Sequence, residues 1–305
     1  AALQAVGIPL VEDIPPAGPK AKNCVVHLNT VLPVTRFAAV RAHARGCKII
    51  YYGHSTMEDF KNSFTGSNLL APLFKKWICG CYNKGDVVIT PSEYSKDILQ
   101  SYGLKKPIYA LSNGIDTRFF CPSAERAARF RARYELAPGQ KCVISVGHWM
   151  VRKGLPDFVE LARRIPEARF LWFGHTDAAL LTVEIRAAMA HAPSNVTFAG
   201  FADAEQICDA YCGADAFAFL SHEETEGIVV LEALACGTPT LVRDIPVYST
   251  WLKHGESVYM DTDLDGFERQ LRGMLDGSLP SLKEGGHAVA DSRSLRAIGE
   301  SLCRI

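Results

Sequence analysis

The sequence predicts an α/β protein of two doubly wound domains, each with a parallel sheet packed between helices. Short β-branched or apolar runs alternate with segments of helical period, which is typical of strands that helices bury on both faces. The alternation starts again after residue 120, and 305 residues are enough for two domains. Because 48% of the residues are apolar and 22% are charged, a disordered or fibrous protein is excluded.

The elements follow one another in regular order. The predicted strands lie at 25–28, 48–52, 87–90, 108–111, 142–146, 169–173, 195–198, 216–220 and 239–242. The predicted helices lie at 33–45, 92–102, 124–135, 155–165, 178–191, 203–212 and 227–236. Turn residues at 112–116, followed by Pro122, indicate a linker. We therefore predict one domain at 1–116, a second at 117–291, and a cleft between them.

The charge differs between the two halves of the chain. Residues 1–118 carry 14 basic and 8 acidic residues, a net of +6, and the remainder carries 19 and 25, a net of −6. The whole chain has 33 of each sign, so nothing global indicates a nucleic-acid partner. The basic first half instead favours contact with an anionic membrane leaflet.

The cysteines and the apolar runs indicate the cell compartment. Most of the ten cysteines stand beside apolar residues, which is typical of small buried thiols. Cys79-x-Cys81 is a tight pair without a second pair or a histidine at zinc-site spacing, so no metal site is predicted. No apolar run approaches the ~20 residues of a bilayer crossing, and no charged leader precedes an apolar core. We expect a cytoplasmic protein, or one peripheral on the inner face of the membrane.

Loops that follow predicted strands carry the candidate site, because doubly wound sheets bind ligands at the carboxyl ends of their strands. Arg152 and Lys153 lie in such a loop and could stabilise a diphosphate leaving group, although a solvated basic pair is the plainer interpretation. Neither a phosphate-binding P-loop motif nor G-x-G-x-x-G occurs. Walker-type ATP hydrolysis and NAD binding are therefore disfavoured.

Two glutamates eight residues apart mark the next loop and its helix. Glu224 precedes a helix predicted to begin near Gly227, and Glu232 lies inside that helix on an otherwise apolar face. A carboxylate there is costly without a partner, and two sugar-like hydroxyls would satisfy it. The amides around Glu226, Gly227 and Ile228 would bind a phosphate. The alternative is an ordinary helix in which acidic residues near the N-terminus interact favourably with the helix dipole.

Two features of the first domain stay open between a functional and a structural interpretation. His54 follows a predicted strand and could hydrogen-bond a sugar hydroxyl, but a lone histidine there is more often a capping or packing residue. The apolar stretch 68–78 contains Lys75, Lys76 and Trp77. It could lie on an anionic membrane or pack as an ordinary helix with extended lysines.

These motifs together resemble those of the family-4 retaining glycosyltransferases of GT-B fold. Residues 113–116 resemble their N-G-I/V-D junction, residues 152–154 their R-K-G motif, and Glu224 with Glu232 their E-x7-E signature. Residues 54–60 and 66–68 are similar to the bacterial glucosyltransferases that add a second glucose to monoglucosyl-diacylglycerol. The resemblance implies a UDP-sugar donor, a glycolipid acceptor, front-face retention and no bound metal. It also implies a last helix at 292–305 that returns to the first domain.

The resemblance assigns roles to the candidate residues. Arg152 and Lys153 would contact the donor diphosphate, with the amides near Gly227 on the phosphate. Glu232 would hold the ribose hydroxyls and Glu224 the donor sugar. His54 would lie at the transferred sugar, and Phe201 would lie near the base.

The sequence departs from the family at two places. Many relatives have arginine after the strand glycine, here Gly147, where this chain has His148, so a pH-sensitive group replaces one cation. Residues 1–9 resemble the end of a helix that enters the family's second strand. The N-terminal domain is therefore predicted to lack its first strand and glycine loop.

Other functions remain compatible with the sequence. A glycosyltransferase with a polysaccharide or small-molecule acceptor would carry the same motifs. A nucleotide-sugar 2-epimerase shares the architecture but needs acid and base carboxylates in the first domain, where Glu58 and Asp59 form an obvious pair. A non-catalytic nucleotide-sugar-binding subunit is the third alternative.

Overall fold

The computed structural model describes residues 1–10 and 23–305, which divide into two compact units. The first unit comprises Ala1–Lys61, Gly66–Asn113 and Leu295–Ile305. The second comprises Asn62–Thr65 and Gly114–Ser294. The chain therefore leaves the first unit and re-enters it after the second is complete. No helix of the described ranges combines the length and hydropathy of a membrane crossing.

The first unit is a parallel sheet with helices packed against it. Within the described residues its strands run in the order β1-β2-β3-β4, all parallel. These strands are β1 (Val25–Leu28), β2 (Lys48–Tyr52), β3 (Val87–Thr90) and β4 (Ile108–Ala110). Its helices are Ala2–Ala5, Pro33–Ala44, Met57–Phe60, Ser67–Tyr82, Glu93–Ser101 and Leu295–Leu302. Ile49, Tyr51 and Val88 of the sheet pack with Ile78 and Leu99 of the helices to form its core.

The second unit has a six-stranded parallel sheet in the order β10-β9-β8-β5-β6-β7. These strands are β5 (Cys142–Val146), β6 (Arg169–Phe173), β7 (Val196–Gly200), β8 (Ala216–Phe219), β9 (Thr240–Arg243) and β10 (Tyr259–Asp261). Its α-helices are Ala124–Arg133, Leu155–Arg164, Val183–Ala190, Ala204–Gly213, Ile228–Ala235, Leu264–Asp276 and Lys283–Ser292. The residues of β8 are all buried, which explains its unbroken apolar sequence.

Two helices begin later than predicted, because a local N-cap residue sets their first turn. The helix predicted at 178–191 begins at Val183, because the Thr182 side chain accepts a hydrogen bond from Ile185 N. The helix predicted at 227–236 begins at Ile228, since Gly227 adopts a left-handed conformation at its N-cap. In the first unit, the strand predicted to follow Pro9 falls mainly on 11–22, outside the described residues.

Gly154 is a position near the candidate site where both backbone conformation and packing oppose a side chain. Its φ is +75°, and an added Cβ would lie 2.3 Å from the Leu220 carbonyl oxygen. We expect Gly154→Ala to lower the free energy of unfolding by about 2 kcal/mol or more in denaturant titrations. Gly139→Ala is the matched control, because φ there is +77° but nothing lies within 4 Å. It should cost about 1 kcal/mol, and equal losses would contradict the steric argument.

Candidate active site

The order of strands in the second unit creates a switch point between β5 and β8. From β5 the chain proceeds to β6 on one side, whereas β8 pairs on the other side. Loops that leave neighbouring strands in opposite directions open a crevice at the carboxyl ends of those strands. The loops that follow β5 and β8 are 147–153 and 220–227. The two loops singled out in the sequence therefore meet at the position where this kind of sheet binds ligands.

A buried ion cluster joins these two loops. Lys153 Nζ donates to Glu224 Oε1 at 2.5 Å, and Arg152 Nη1 lies 3.9 Å from the same oxygen. Arg152 and Glu224 are only 8% and 6% exposed. A carboxylate at this depth needs compensating charge and hydrogen bonds, which the two cations and their neighbours provide. Two basic residues and one acid leave the cluster with a net positive charge suited to an anionic ligand.

Further hydrogen bonds fix the orientation of the cluster. Ser221 donates from Oγ to Glu224 Oε1 at 2.6 Å, and the Arg152 carbonyl accepts from His222 N at 2.7 Å. Arg152 Nη1 donates to the Glu223 carbonyl at 2.8 Å, and its Nε donates to Ser63 Oγ at 3.2 Å. Arg152 therefore acts as a fixed buried charge, since its guanidinium is tied to backbone and hydroxyl groups.

The helix Ile228–Ala235 begins beside this cluster. Gly227 at its N-cap has a φ of +81° and provides no side-chain cap. The helix therefore begins directly after the loop that follows β8, with the positive end of its dipole at that loop. An added Cβ at Gly227 would lie 2.7 Å from the Tyr248 hydroxyl, so this glycine permits a close approach. Glu226 is 3% exposed and Ile228 is 39% exposed.

Glu232 lies inside the same helix and is held by an unexpected partner. Tyr211 donates from its hydroxyl to Glu232 Oε2 at 3.1 Å. Burial raises the pKa of the Glu232 carboxyl to about 7, and the hydrogen bond from Tyr211 partly offsets this effect. Because ionisation of Glu232 is costly in the unliganded protein, a ligand that donates two hydrogen bonds would stabilise the ionised carboxylate strongly.

The loop after β5 also carries Gly147 and His148. An added Cβ at Gly147 would lie 3.6 Å from Lys153 Cδ, so this glycine packs against the lysine stem. His148 is exposed, and its Nδ1 donates to the His175 carbonyl at 2.7 Å. This bond leaves Nε2 on the outer side of the ring. After β7, the Phe201 ring is 82% exposed, as a surface for stacking would be.

His54 belongs to the first unit, where it follows β2. Its ring stacks on Tyr52 with 5.6 Å between centroids, and Tyr52 stacks in turn on His27 of β1 at 5.7 Å. The Tyr52 hydroxyl also lies 3.1 Å from His27 Nδ1. Burial lowers the pKa of both imidazoles. Both histidines are therefore neutral near pH 7, which suits hydrogen bonding to a sugar hydroxyl.

Two family models match successive parts of the chain. The model described as "Glycosyltransferase Family 4" matches residues 24–119, and that described as "Glycosyl transferases group 1" matches residues 127–284. A processive diacylglycerol alpha-glucosyltransferase of Acholeplasma laidlawii is 38% identical over 302 residues, which are 99% of this chain and 88% of that protein. The chain belongs to this family of glycosyltransferases. The resemblance in its motifs is thereby confirmed.

Other relatives and solved structures extend the comparison of this glycosyltransferase. An alpha-galactosylglucosyldiacylglycerol synthase of Streptococcus pneumoniae is 25% identical, and the match covers 75% of this chain and 62% of that protein. Sucrose-phosphate synthase of Thermosynechococcus elongatus matches with a TM-score of 0.77 at 20% identity, over 92% of this chain and 72% of that one. Anabaena HepE in complex with UDP and glucose matches with a TM-score of 0.78 at 16% identity, over 92% and 77%. With two parallel-sheet units, these matches confirm the GT-B fold.

The structure of this glycosyltransferase adds residues to the site that sequence reasoning missed. Ser221 directly follows the predicted strand 216–220, so its position was available as a signal. Tyr211 bonds Glu232 across 21 residues of sequence, and no periodicity indicates such a contact. Among the residues that the structure describes, none hydrogen-bonds the buried Tyr248 hydroxyl, which lies at the Gly227 turn. A buried hydroxyl of this kind is suited to a bound ligand.

Proposed function

We propose that this glycosyltransferase moves a hexose, preferentially glucose, from a UDP-sugar to a glycolipid such as monoglucosyl-diacylglycerol, with retention of configuration. The observation that carries the proposal is the 38% identity over 99% of the chain to a processive diacylglycerol alpha-glucosyltransferase. A relative of known structure holds UDP-glucose, which supports a uridine nucleotide donor. The cationic cluster at the β5–β8 switch point is the chemical support, because a diphosphate leaving group needs positive charge.

The proposed reaction exchanges one bond at the anomeric carbon for another. The bond to the diphosphate oxygen breaks, and a bond to the acceptor oxygen forms on the same face of the sugar. The proton of the acceptor hydroxyl moves to the departing phosphate oxygen. Lys153, Arg152 and the amides at Gly227 and Ile228 stabilise the charge that develops on this leaving group. We propose that these groups serve in place of a bound metal.

The remaining residues of the proposed site orient the donor. Glu224 accepts hydrogen bonds from hydroxyls of the donor sugar while Lys153 holds it at 2.5 Å. Glu232 accepts hydrogen bonds from both ribose hydroxyls, and the exposed ring of Phe201 stacks on the base. The backbone amide of Glu226 and the side chain of His148 line the phosphate side. His54 hydrogen-bonds the transferred hexose as a neutral imidazole.

Transfer assays with defined donors and acceptors test this proposal. UDP-glucose, UDP-galactose and GDP-mannose would each be offered to diacylglycerol and monoglucosyl-diacylglycerol in mixed vesicles, with product anomers assigned by NMR. We expect α-linked product from UDP-glucose on monoglucosyl-diacylglycerol. A β-linked product would overturn retention. Binding of UDP without transfer to either lipid would overturn the lipid assignment and favour another acceptor or a non-catalytic role.

We also propose that the first unit contacts an anionic membrane through two neighbouring helices. Helices Pro33–Ala44 and Ser67–Tyr82 adjoin, since the Arg36 guanidinium stacks on Trp77 at 5.0 Å. Both expose apolar side chains at helical spacing. This apolar face consists of Val34, Phe37, Val40, Leu69, Leu70 and Leu73. Arg41 and Lys76 are exposed on the same two helices, whereas Lys75 packs over the Tyr102 ring. Apolar contact combined with basic charge suits an anionic lipid surface.

Vesicle binding tests the apolar face. We expect the double variant Phe37→Ser and Leu73→Ser to bind vesicles with anionic lipid about tenfold or more weakly, because two large apolar side chains leave the interface. Val183→Ser is the matched control, since Val183 is 85% exposed but lies in the second unit. Co-sedimentation measures both variants. Equal losses in the two variants would assign the binding to general surface hydrophobicity instead.

A further inference from the structure

Three cysteine thiols converge inside the second unit. The Sγ atoms of Cys208, Cys212 and Cys236 all lie within 4.8 Å of one another, and 3.8 Å separates those of Cys208 and Cys236. Cys208 and Cys212 lie four residues apart on the helix Ala204–Gly213, so they share one face of it. Cys236 forms the C-cap of the helix Ile228–Ala235.

The 3.8 Å between the sulfur atoms of Cys208 and Cys236 fits a thiolate-bound metal ion, and the third sulfur atom lies within 4.8 Å of both. Zn–S bonds of about 2.3 Å at tetrahedral angles place two sulfur ligands about 3.8 Å apart. A disulfide fits less well, because it would need two of the sulfur atoms to approach to about 2.05 Å and would leave the third thiol unused. Among the residues that the structure describes, these three cysteines form the group with metal-ligand geometry.

We infer that Cys208, Cys212 and Cys236 bind one Zn²⁺ ion through three thiolates, with a solvent molecule as the fourth ligand. Cys208 and Cys236 are buried, whereas Cys212 is partly exposed and provides the route of entry. The Sγ atoms of Cys208 and Cys212 donate to the carbonyls of Phe119 and Cys121, each at 3.4 Å. Zinc binding replaces these weak bonds with three Zn–S bonds and releases the thiol protons to solvent.

The zinc site adjoins the contact that holds Glu232. Tyr211, which donates to Glu232, precedes Cys212 on the helix Ala204–Gly213. Glu232 lies four residues before Cys236, and the Cys236 amide donates to the Glu232 carbonyl at 3.1 Å. The ion therefore clamps together the two helices that position the Tyr211–Glu232 pair. Its role is structural, so its signature is metal content and thermal stability in addition to any change in turnover.

Metal titration of the reduced, chelator-treated protein tests the inference. We expect wild type to retain one equivalent of Zn²⁺ after desalting and to show thiolate-to-metal charge transfer with Co²⁺. Cys212→Ser should bind Zn²⁺ about tenfold or more weakly, because loss of a residue that only supports a metal ligand already weakens binding by that factor. Zinc should raise Tm in wild type and not in Cys212→Ser. Cys79→Ser, on the partly buried Cys79 of the first unit, is the control and should behave as wild type.

Other results would overturn the inference. Substoichiometric zinc in wild type, or equal binding by wild type and Cys212→Ser, would mean that the three thiols are packing residues only. Cys236→Ser serves as a second ligand variant, and circular dichroism would show that both variants are folded. A Cys208–Cys236 disulfide found by mass spectrometry in the zinc-treated reduced protein would replace the metal site with a redox pair.

Discussion

Glu224→Gln should lower kcat for hexose transfer by about 10²–10³-fold while leaving the fold intact. The carboxylate is 6% exposed and held by Lys153 Nζ at 2.5 Å and Ser221 Oγ at 2.6 Å, so its position is fixed before the donor binds. Glutamine keeps the shape and one acceptor oxygen but removes the negative charge. The electrostatic support of the donor sugar is then lost at the moment when charge separates.

Steady-state kinetics with the donor varied would measure this effect. Glu256→Gln is the control, because Glu256 is an exposed glutamate of the same unit that pairs only with Lys253 in the ion pairs of the described residues. Tm should fall in Glu224→Gln, since Lys153 and Arg152 lose their buried counter-charge. A kcat within threefold of wild type would show that Glu224 only maintains the cluster and does not act on the donor.

Glu232→Gln should stabilise the unliganded protein above neutral pH. Burial raises the pKa of Glu232 from 4.5 to about 7. A raised pKa in the folded state favours the protonated form, so its stabilising effect is present below pH 4.5 and is lost as pH rises through 7. At pH 8 the buried ionised carboxylate destabilises the folded protein, and glutamine removes this effect. We expect the variant to gain about 3 kcal/mol at pH 8 and less than about 1 kcal/mol at pH 5.

The same substitution should weaken donor binding. Both ribose hydroxyls can donate to the two oxygens of an ionised Glu232. A glutamine has only one acceptor oxygen, so one of these hydrogen bonds is lost and the UDP Kd should rise about tenfold or more. UDP binding to wild type should also strengthen more between pH 6 and pH 8 than binding to the variant does, because the carboxyl at this position ionises in wild type alone. Tyr211 and the thiol of Cys208 are the titratable neighbours of this carboxyl, and both keep their protons in that range.

Calorimetric titration of UDP and denaturant unfolding at pH 5 and pH 8 would measure both effects with chelator present. Glu284→Gln, in the exposed first turn of the helix Lys283–Ser292, leaves the site intact and should change neither quantity. An unchanged UDP Kd combined with higher stability would make Glu232 a buried structural acid without a role at the ribose.

Much of this architecture could be predicted because most elements have a recognisable pattern in their own stretch of sequence. Runs such as Cys142–Val146 and Ala216–Phe219 are apolar because helices cover both faces of a parallel sheet. The loops that carry Lys153 and Glu224 could be placed at one edge of the sheet, since all strands of a parallel sheet end there. The close pairing of the two side chains follows from the β5–β8 neighbourhood, which no local pattern specifies.

The missed strand and the missed contacts have two different physical reasons. The strand Tyr259–Asp261 is only three residues long, so it is too short to show an alternation. Tyr211, Tyr248 and the three clustered cysteines are ordinary apolar-face residues in their own segments. They gain significance only where separate helices bring them together, as Cys208 and Cys236 do across 28 residues. Long-range contacts of this kind depend on topology, which the sequence specifies only through the whole fold.

The first unit is discontinuous, and this has a consequence for synthesis on the ribosome. The helix Leu295–Leu302 belongs to that unit and packs on Ala2–Ala5, so closely that a Cβ at Gly299 would lie 2.3 Å from the Ala2 carbonyl oxygen. The ribosome therefore delivers the last piece of the first unit only after the entire second unit has emerged. Until then the nascent first unit exposes the apolar surface that Ile298 and Leu302 later bury. The described strands of the first unit emerge before those of the second, yet the first unit is completed only after the whole second unit has been synthesised.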